Sequence, residues 1–518
     1  MKKIPNYFLC VLLIICTMFS FTTVDYQRVV DDANNSVNVG DCSTGDHIDA
    51  DNDDFCDLCC SYVVVFVDFY ALNDLHGKFC DTSGQPGVDE LASYLTKMKE
   101  ENANTVLLAS GDMWQGSAES NLTHGLILTE WMNEIGFDSM TLGNHDFDWG
   151  EDAIKENAAV AEFPFLAINI YDVKTGNLAD YCTPSIMIER GGVKIGIIGA
   201  IGDCYSSISS NKVENVRFKV GNALTNLVKA EAIKLRNEGA DFIVYSLHDG
   251  YGSSSSGKKN ISALDLGKYY SPYLSNGYVD LVFEGHSHQN YTLIDTYGVY
   301  HMQGSGENKG ISHVEIAINS ANGNNRVTEA DYVGSSTYSK LEDHEGTERI
   351  EDKYSETIDN AYSVIGQASR YYDDYEFEDI VAELYLEAGL EKWGDDYDIV
   401  FGGGFLRTRS PYNLKKGDIT YAGLLSLLPF DNEIVLCSIS GAKLKSRFVD
   451  STSDDYHMAY SDFGEDLMGS ISNNATYYVV VDIYTALYAY NGLTVVEYLD
   501  YTTYARDLVA AAAKDGRF

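Results

Sequence analysis

The stretch Thr141-Leu142-Gly143-Asn144-His145-Asp146-Phe147-Asp148 closes a short apolar run with an amide, an imidazole and two carboxylates. A buried strand that ends at such a loop offers Asn144 and His145 to one small site. The stretch alone would be weak evidence, because Asn, Asp and Gly populate turns for backbone reasons. Four further stretches give it weight, and each directly follows its own apolar run: Asp74-Leu75-His76-Gly77, Gly111-Asp112, Leu247-His248-Asp249 and Gly285-His286-Ser287-His288.

Predicted strands and helices alternate around these stretches. Apolar runs predict buried strands over residues 62–69, 105–109, 163–168, 193–198, 242–245 and 279–283, and amphipathic spacing predicts helices over 88–98, 122–135 and 224–235. This alternation is typical of a layered α/β domain. Ligands of such sheets gather at the carboxyl ends of the strands, so side chains that are far apart in the sequence are expected to converge there.

The converging residue types suit a pair of divalent cations. Two cations about 3.5–4 Å apart need one ligand that touches both, and a carboxylate is the usual bridge. We predict Asp112 as this bridge. Mixed imidazole and carboxylate ligands favour zinc, manganese, iron or cobalt over calcium or magnesium. The other predicted ligands are Asp74, His76 and His288 for one ion, and Asn144, His248 and His286 for the second.

Such a centre predicts phosphoester hydrolysis. A water held between two cations ionises near neutral pH and can attack phosphorus in line with the leaving oxygen. His145 neighbours a predicted ligand but is not one, so it is the predicted acid for the leaving group. Asp148 is predicted to hold the His145 ring as a hydrogen-bond acceptor.

The composition limits the classes of partner that the chain can bind. Its 518 residues, of which 45% are hydrophobic, predict two or three globular domains. With 36 basic and 78 acidic residues the formal net charge is -42, which repels phosphate backbones. A nucleic-acid polymer is therefore excluded as a partner, and a small-molecule phosphoester is expected.

The first 24 residues have the pattern of a secretory signal peptide. Lys2 and Lys3 precede an apolar run over residues 7–21. We therefore expect a secreted, periplasmic or cell-surface protein. The alternative is an uncleaved anchor, and contact with a membrane is expected only in that case.

Residues 25–60 form an acidic, cysteine-containing spacer or small module. The spacing of Cys42, His47, Cys56 and Cys59 predicts a structural zinc site. The alternatives are disulfides among these cysteines and Cys60, or a solvated linker. Asp49, Asp51 and Asp53 alternate as at the start of a calcium loop. However, Asp54 stands where such a loop has glycine and Cys60 where it has glutamate, which argues against calcium.

The remaining chain predicts a linker helix and a second α/β domain. Residues 61–340 are the predicted catalytic domain, and the charged residues 341–364 the linker helix. In the second domain, residues 365–510, helices are predicted over 377–390 and from Thr420 to Pro429. Strands are predicted over 399–401, 434–439 and 477–483.

The five quoted stretches resemble those of the calcineurin-like metallophosphoesterases, and the second half resembles the substrate-binding domain of the secreted 5'-nucleotidases. The resemblance covers residues 62 to 490. It implies a four-layer α/β/β/α metallophosphoesterase domain followed by a second, smaller α/β substrate-binding domain. It also implies hydrolysis of nucleoside 5'-phosphates to nucleoside and phosphate, and it agrees with the ligand and His-Asp roles given above.

The resemblance is weaker in the substrate-binding half. It implies that Phe430 stacks on the base, that Asn432 binds the base edge, and that Tyr484 is the nearest candidate for the opposing ring. The family pattern Asn-Gly-Gly-Gly-hydrophobic-Arg stands here as Phe401-Gly402-Gly403-Gly404-Phe405-Leu406-Arg407, so the asparagine is lost and the arginine is displaced by one. Arg407 or Arg409 is the expected substitute for the family's phosphate-binding arginines.

These departures leave two alternatives to a 5'-nucleotidase. One keeps the chemistry but applies it to nucleotide sugars, cyclic nucleotides or a non-nucleotide phosphoester. The other is a non-catalytic scaffold that retains the metal centre.

Overall fold

The computed structural model describes residues 47–57, 63–81, 86–250, 277–405, 413–446, 456–460, 471–489, 492–500 and 503–518. The predictions for the signal segment 1–24 and for Cys42, Cys59, Cys60, Arg407 and Arg409 lie outside these residues. Within the described residues, none of the helices combines the length and the apolar character that crossing a bilayer requires.

The strands, in chain order, are β1 (Val64–Leu72), β2 (Val106–Ala109), β3 (Ser139–Thr141), β4 (Phe165–Leu166), β5 (Ile170–Asp172), β6 (Ser185–Arg190), β7 (Val193–Ile201), β8 (Val216–Phe218), β9 (Phe242–His248), β10 (Leu281–Glu284), β11 (Tyr291–Ile294), β12 (Tyr300–Gln303), β13 (Gly310–Asn319), β14 (Arg326–Gly334), β15 (Val364–Ala368), β16 (Ile399–Phe405), β17 (Gly417–Thr420), β18 (Ile434–Ser440), β19 (Tyr456–Tyr460), β20 (Thr476–Asp482) and β21 (Thr494–Tyr498).

The α-helices are α1 (Asp89–Glu101), α2 (Ala118–Leu122), α3 (Leu126–Ile135), α4 (Gly150–Val160), α5 (Asn222–Asn237), α6 (Glu345–Lys353), α7 (Ser355–Tyr362), α8 (Asp374–Trp393), α9 (Tyr421–Leu427), α10 (Gly441–Leu444) and α11 (Ala505–Lys514). Short 3-10 turns include His145–Phe147, Asp203–Ser207 and Ser210–Lys212.

Two six-stranded sheets form the first part of the molecule. One has the spatial order β14-β13-β1-β2-β3-β4, and the other β11-β12-β10-β9-β7-β6. Their facing sides meet in an apolar core that includes Val67, Phe69 and Leu108 from the first sheet and Val244 and Phe283 from the second. Burial on both faces explains why these strands read as continuous apolar runs in the sequence.

Helices cover the outer faces of both sheets. Helices α1 and α3 pack on the first sheet through residues such as Leu91, Leu95 and Trp131. Helix α5 packs on the second sheet through Leu224 and Val228. The predicted four-layer α/β/β/α arrangement is therefore confirmed.

The second part of the chain is the predicted smaller α/β unit. Its five-stranded sheet has the order β19-β16-β20-β18-β21. One face packs against α8, α9 and α11 through residues such as Phe377, Leu424 and Val509. Thr420 caps α9, as its position before the helix predicts, because its hydroxyl accepts a hydrogen bond of 3.0 Å from the Gly423 N–H.

The region predicted as one linker helix contains two short helices, α6 and α7, which meet at Tyr354. A hydrogen bond of 2.9 Å from the Tyr354 hydroxyl to Glu130 ties this junction to α3 of the first part. Ala361 of α7 packs between Ala118 of α2 and Leu425 of α9. Helix α7 thus lies against both parts of the molecule.

Candidate metal centre and substrate cavity

The predicted ligands all follow the carboxyl ends of parallel strands. Strands β1, β2 and β3 are parallel neighbours in the first sheet, and β9 and β10 in the second. Their last residues lie at one edge of the two stacked sheets. The side chains that leave this edge are Asp74 after β1, Asp112 after β2, Asn144 after β3, His248 at the end of β9, and His286 and His288 after β10.

Asp74, His76 and His288 form one group. Their ligand atoms lie within 4.8 Å of one another. The Nε2 atoms of His76 and His288 are 3.0 Å apart, and Nε2 of His288 is 3.3 Å from Oδ1 of Asp74. These are the three side chains that the sequence predicts for one cation.

His248, Asn144 and Asp112 form the second group. Nε2 of His248 lies 3.2 Å from Oδ1 of Asn144 and 3.1 Å from Oδ2 of Asp112. The rings of His248 and His286 meet edge to face, with centroids 5.7 Å apart. The four side chains predicted for the second cation, including the bridge, are therefore neighbours.

Asp112 stands between the two groups. The ligand atoms of Asp74, Asp112 and His248 lie within 4.8 Å of one another. Oδ1 of Asp112 accepts a hydrogen bond of 2.7 Å from the His145 backbone N–H, and the buried Oδ2 faces Nε2 of His248 at 3.1 Å. A buried carboxylate that lies among the ligand atoms of both groups fits a bridging ligand, because positive charge offsets its desolvation.

The imidazole tautomers also suit a metal. Nδ1 of His76 lies 2.8 Å from the Gln115 carbonyl oxygen, and Nδ1 of His248 lies 2.7 Å from the Ser110 carbonyl oxygen. A carbonyl can only accept, so both Nδ1 atoms carry the proton, and in the neutral ring Nε2 presents its lone pair. Metal-binding histidines commonly donate their other N–H to a carbonyl in this way.

Backbone strain is concentrated at the same edge. Five predicted ligands adopt a positive φ that non-glycine residues rarely take, at 50–71°: Asp74, His76, Asp112, His286 and His288. Such conformations cost about 1–3 kcal/mol each and persist where the surrounding structure holds them. Their concentration at one site is typical of a functional constraint.

Two glycines leave room for the ligands. A Cβ on Gly143 would lie 2.3 Å from Oδ1 of Asp112, and a Cβ on Gly111 would lie 2.4 Å from Nδ1 of His248. Any other residue at these positions would displace the bridge or the imidazole. This explains the two Gly residues that precede Asn144 and Asp112 in the sequence.

Asp146 supports the centre although it was not predicted to. Its fully buried carboxylate accepts hydrogen bonds from the backbone N–H groups of Asp112 (3.0 Å), Met113 (3.0 Å) and Gly143 (2.8 Å). Asp146 thereby fastens the loop of Asp112 to the loop of Asn144. Its place in Gly143-Asn144-His145-Asp146 is the feature of the sequence from which this role could have been inferred.

His145 and Asp148 form the predicted pair beside the ligands. Nδ1 of His145 lies 2.9 Å from Oδ2 of Asp148, and the His145 ring meets the His76 ring edge to face at 5.3 Å between centroids. Burial raises the pKa of Asp148, and the neighbouring His145 opposes that shift. The carboxylate fixes the ring of His145 next to the proposed cations.

Burial and charge shift the pKa values of the imidazoles in opposite directions. Burial lowers the pKa values of His76 and His286 to about 4, so both rings are neutral near pH 7. Burial also opposes a charge on His248, but the carboxylates of Asp112 and Asp74 outweigh it and raise its pKa to about 10. The two buried carboxylates thus attract positive charge to the centre.

Cys204 is a second residue near the centre that the sequence reasoning missed. Its Sγ lies within 4.8 Å of ligand nitrogens of His248 and His286 and donates to the His248 carbonyl oxygen at 3.0 Å. It follows strand β7 at the same sheet edge, so its position relative to that strand was the available clue.

The edge of the two sheets that carries the predicted metal ligands is called the metal edge below. A cavity of about 330 Å³ opens between the metal edge and the second part of the chain. His145 and Asp148 line it on one side, and Phe430, Asn432 and Tyr484 on the other. Phe430 and Tyr484 are each 37% exposed. The structure therefore brings the three described residues that were predicted to bind the substrate to the cavity that His145 lines.

A buried ion pair supports the loop of Phe430. Arg506 of α11 pairs with Asp431, and both side chains are less than 10% exposed. Burial disfavours the charged guanidinium, but the Asp431 carboxylate outweighs it and raises the pKa of Arg506 further. The ion pair with Arg506 therefore fixes Asp431 and, with it, the loop that carries Phe430.

Residues 47–57 are bound to the first sheet and to the turn after β13 by hydrogen bonds. Oδ2 of the buried Asp49 accepts hydrogen bonds of 2.6 Å from Asn319 and 3.1 Å from Asn322. Carboxylate oxygens of Asp49, Asp51 and Asp53 lie within 4.8 Å of one another. Asp54, which stands where a calcium loop has glycine, adopts a positive φ of 68°. The zinc site stays a prediction: of its four residues the structure describes His47 and the buried Cys56.

Comparison with known proteins agrees with this geometry. The model of the calcineurin-like phosphoesterase family matches residues 67–290, which contain all the predicted metal ligands. An apyrase from Tabanus yao is 25% identical over 418 residues, which is 73% of this chain and 72% of the apyrase. A 5'-nucleotidase from Vibrio parahaemolyticus is 31% identical over 228 residues, 42% of this chain and 39% of that protein.

The fold is shared with solved structures. The 5'-nucleotidase precursor from Thermus thermophilus superposes with a TM-score of 0.60 at 19% identity, covering 87% of this chain and 96% of that one. The described clusters of His and Asp at the sheet edge are able to hold metal ions. Residues 67–290 therefore match the calcineurin-like phosphoesterase family; the chain resembles 5'-nucleotidases in sequence and fold, and it is a hydrolase that acts on phosphoester bonds.

Proposed function

We propose that the chain is an exported, metal-dependent hydrolase of nucleoside 5'-phosphates that releases nucleoside and inorganic phosphate. Two divalent cations, each zinc, manganese, iron or cobalt, would be held by Asp74, His76, His288, Asn144, His248 and His286, and Asp112 would be the shared ligand. Residues 61–340 form the catalytic domain, 341–364 the linker and 365–510 the substrate-binding domain.

One observation carries the proposal. In the same centre, the ligand atoms of Asp74, His76 and His288 lie within 4.8 Å of one another, and so do those of Asp74, Asp112 and His248. The buried carboxylates gathered in this way repel one another unless positive charge lies between them. Cations are the groups that make this arrangement favourable, and imidazole with carboxylate suits the transition metals named above.

When bound, the cations would supply positive charge that polarises the phosphoryl group and lowers the pKa of water. His145 protonates the leaving oxygen of the ester. Its Nδ1 proton is held at 2.9 Å by Asp148, so the opposite ring nitrogen is the one proposed to face the substrate. The buried Asp146 keeps the loops of Asp112 and Asn144 in register while this happens.

The nucleoside is proposed to lie in the cavity beyond His145. Phe430 and Tyr484 line this cavity with partly exposed rings, and Asn432 offers an amide beside Phe430. A base between two aromatic faces would bury the apolar surface that these rings expose. Arg407 and Arg409, which follow Gly402-Gly403-Gly404 in the sequence, are proposed to bind the phosphate. Export is proposed from the signal pattern of residues 1–24, with membrane contact only if that segment is retained.

The test is hydrolysis of a substrate panel by the purified protein, with inorganic phosphate assayed and the nucleotide and sugar-phosphate products separated by chromatography. AMP and UMP represent nucleoside monophosphates, a cyclic nucleotide and a nucleotide sugar represent the alternatives, and 4-nitrophenyl phosphate is a generic ester. We expect turnover of AMP and UMP that a chelator abolishes and added manganese or zinc restores. Failure to hydrolyse any of these esters, with two metals bound, would favour the non-catalytic scaffold.

A further inference from the structure

Lys212 projects into the substrate cavity from the catalytic side. It ends the 3-10 turn Ser210–Lys212, and it lines the same cavity as His145 and Phe430. Its predicted counterparts in substrate binding, Arg407 and Arg409, belong to the predicted substrate-binding domain. Lys212 does not lie in any of the sequence stretches that predicted the site.

Charge makes Lys212 distinctive among the lining residues. The described residues that line the cavity include three carboxylates, those of Asp148, Asp431 and Asp482, and Lys212 is the one lysine or arginine among them. The chain as a whole carries a formal net charge of -42. An anionic substrate in this cavity therefore needs a local positive charge, and away from the metal edge Lys212 supplies it.

The lysine is held in place by Glu433. Its Nζ lies 3.1 Å from Oε1 of Glu433, and the two side chains are 18% and 9% exposed. An ammonium group has three N–H donors, so the pair with Glu433 leaves donors for a further acceptor. Glu433 thus orients the ammonium group without using its full capacity.

A hydroxyl group accompanies the ammonium group. Ser207 and Ser209, from the chain just before Lys212, line the same cavity. Ser207 donates its hydroxyl to the Cys204 carbonyl oxygen at 2.7 Å, so Ser209 is the one that is proposed to donate to a ligand. The two cations proposed at the sheet edge would neutralise the phosphate that is cleaved. A lysine with a neighbouring hydroxyl outside that edge matches the next phosphate along a substrate that carries more than one.

We infer that Lys212 binds a phosphate that is not cleaved, the one next to the ribose of a nucleoside diphosphate, and so favours nucleoside diphosphates over monophosphates. The inference rests on the proposed function, because it assumes that the scissile phosphate lies at the metal edge and the nucleoside between Phe430 and Tyr484.

The experiment measures KM for ADP and for AMP in the wild type and in four variants. Lys212→Gln is expected to raise KM for ADP about tenfold or more, the usual loss for one charge-assisted hydrogen bond, and to leave KM for AMP within twofold. Lys212→Arg is expected to retain most of the affinity for ADP. Lys155→Gln removes an exposed lysine of the same domain as the matched control, and no change is expected.

Lys212→Gln also leaves Glu433 buried without its cation, which can lower stability. The double variant Lys212→Gln/Glu433→Gln removes both charges and leaves two amides that can pair. We expect it to unfold at the wild-type temperature and still to show the raised KM for ADP. This separates a contact with the substrate from a contact that only holds the two parts of the chain together.

Three results would overturn the inference. They are an equal rise of KM for ADP and AMP, a wild-type KM for ADP in the double variant, or a wild type that cleaves AMP and not ADP. A wild type that cleaves neither the phosphoanhydride of ADP nor the phosphoester of AMP with metal bound would instead reject the proposed function itself. A non-hydrolysable methylene analogue of ADP gives a second readout, since its inhibition constant should rise in parallel with KM for ADP.

Discussion

The metal edge and the substrate cavity are built differently although they adjoin. At the metal edge Asp74, Asp112 and His248 are at most 1% exposed, and neighbouring loops hold each of them. In the cavity Phe430 and Tyr484 are each 37% exposed. The edge is therefore formed by the fold alone, whereas the cavity presents surface that a ligand must complete. We therefore expect substitutions in the cavity to leave metal binding and catalysis intact and to change the substrate preference.

The largest effect is expected at the bridge. Asp112→Asn keeps the size of the side chain but removes the charge that two cations share. We expect metal content to fall to one ion or none and phosphoesterase activity to fall to the detection limit. Metal analysis after gel filtration, together with phosphate release from AMP, checks this. Two ions retained per chain would show that Asp112 does not bridge.

His145→Ala separates catalysis from metal binding. Because His145 is proposed to donate a proton but not to bind metal, kcat should fall by about 10²–10⁴-fold. The two metals should stay bound, and KM for AMP should change little. A loss of metal equal to that in Asp112→Asn would place His145 among the ligands and contradict its assigned role.

Asp146→Asn tests whether the edge depends on its buried support. The carboxylate receives N–H donors from Asp112, Met113 and Gly143, and an amide can accept fewer of them. We expect metal affinity to fall by about 10–100-fold, as when the partners behind metal ligands are removed. Titration of metal-free protein with zinc or manganese measures this. An unchanged affinity would mean that the loops hold their geometry without Asp146.

Phe430→Ala tests whether the cavity binds the base of the substrate. Loss of one stacking ring should raise KM for AMP by about three- to tenfold, while turnover of 4-nitrophenyl phosphate stays unchanged. Steady-state kinetics with both esters checks this. Val496→Ala, at another partly exposed apolar position of the second domain, is the control. A similar loss with both esters would place Phe430 in the fold and not in substrate binding.

The smallest expected effect concerns the buried ion pairs of His301 with Glu284 and Asp295. Nδ1 of His301 lies 2.9 Å from Glu284, and Nε2 lies 3.4 Å from Asp295. Burial disfavours a charged ring, but these two carboxylates outweigh it and raise the pKa of His301 to about 9. In the unfolded chain the pKa returns to about 6.5. The stabilisation is therefore complete below about pH 6.5 and is lost as the pH rises through about 9.

Thermal unfolding between pH 6 and pH 10 measures this loss. We expect the wild-type Tm to fall over this range by about 2–4 °C more than that of His301→Gln, which lacks the titrating ring. The comparison with the variant removes the contributions of groups that titrate in both proteins. Parallel Tm profiles for the two proteins would show that His301 does not change its charge in this range.

The same contrast explains what could be predicted from the sequence. The ligands follow apolar strands, and parallel strands bring their carboxyl ends to one edge, so the position of each residue at a strand end was enough to predict that Asp74, Asp112 and His248 meet. The roles of Asp146 and Lys212 depend on loops that fold back across the edge. No periodicity records such contacts. Asp54 shows the same limit, because its positive φ is set by its surroundings and not by its residue type.

The linker was predicted with the right helical content but the wrong continuity. Residues 341–364 lack proline and contain one glycine, so propensity alone favours an unbroken helix. The structure interrupts it at Tyr354, whose hydroxyl contacts Glu130. Tertiary contacts with α3 therefore decide where the helix ends.

Anomalous scattering from crystals loaded with manganese tests the central claim most directly. We predict two peaks about 3.5–4 Å apart, with Asp112 contacting both, His76 and His288 near one, and His248 and Asn144 near the other. A single peak, or two peaks too far apart for one carboxylate to reach both, would contradict the account.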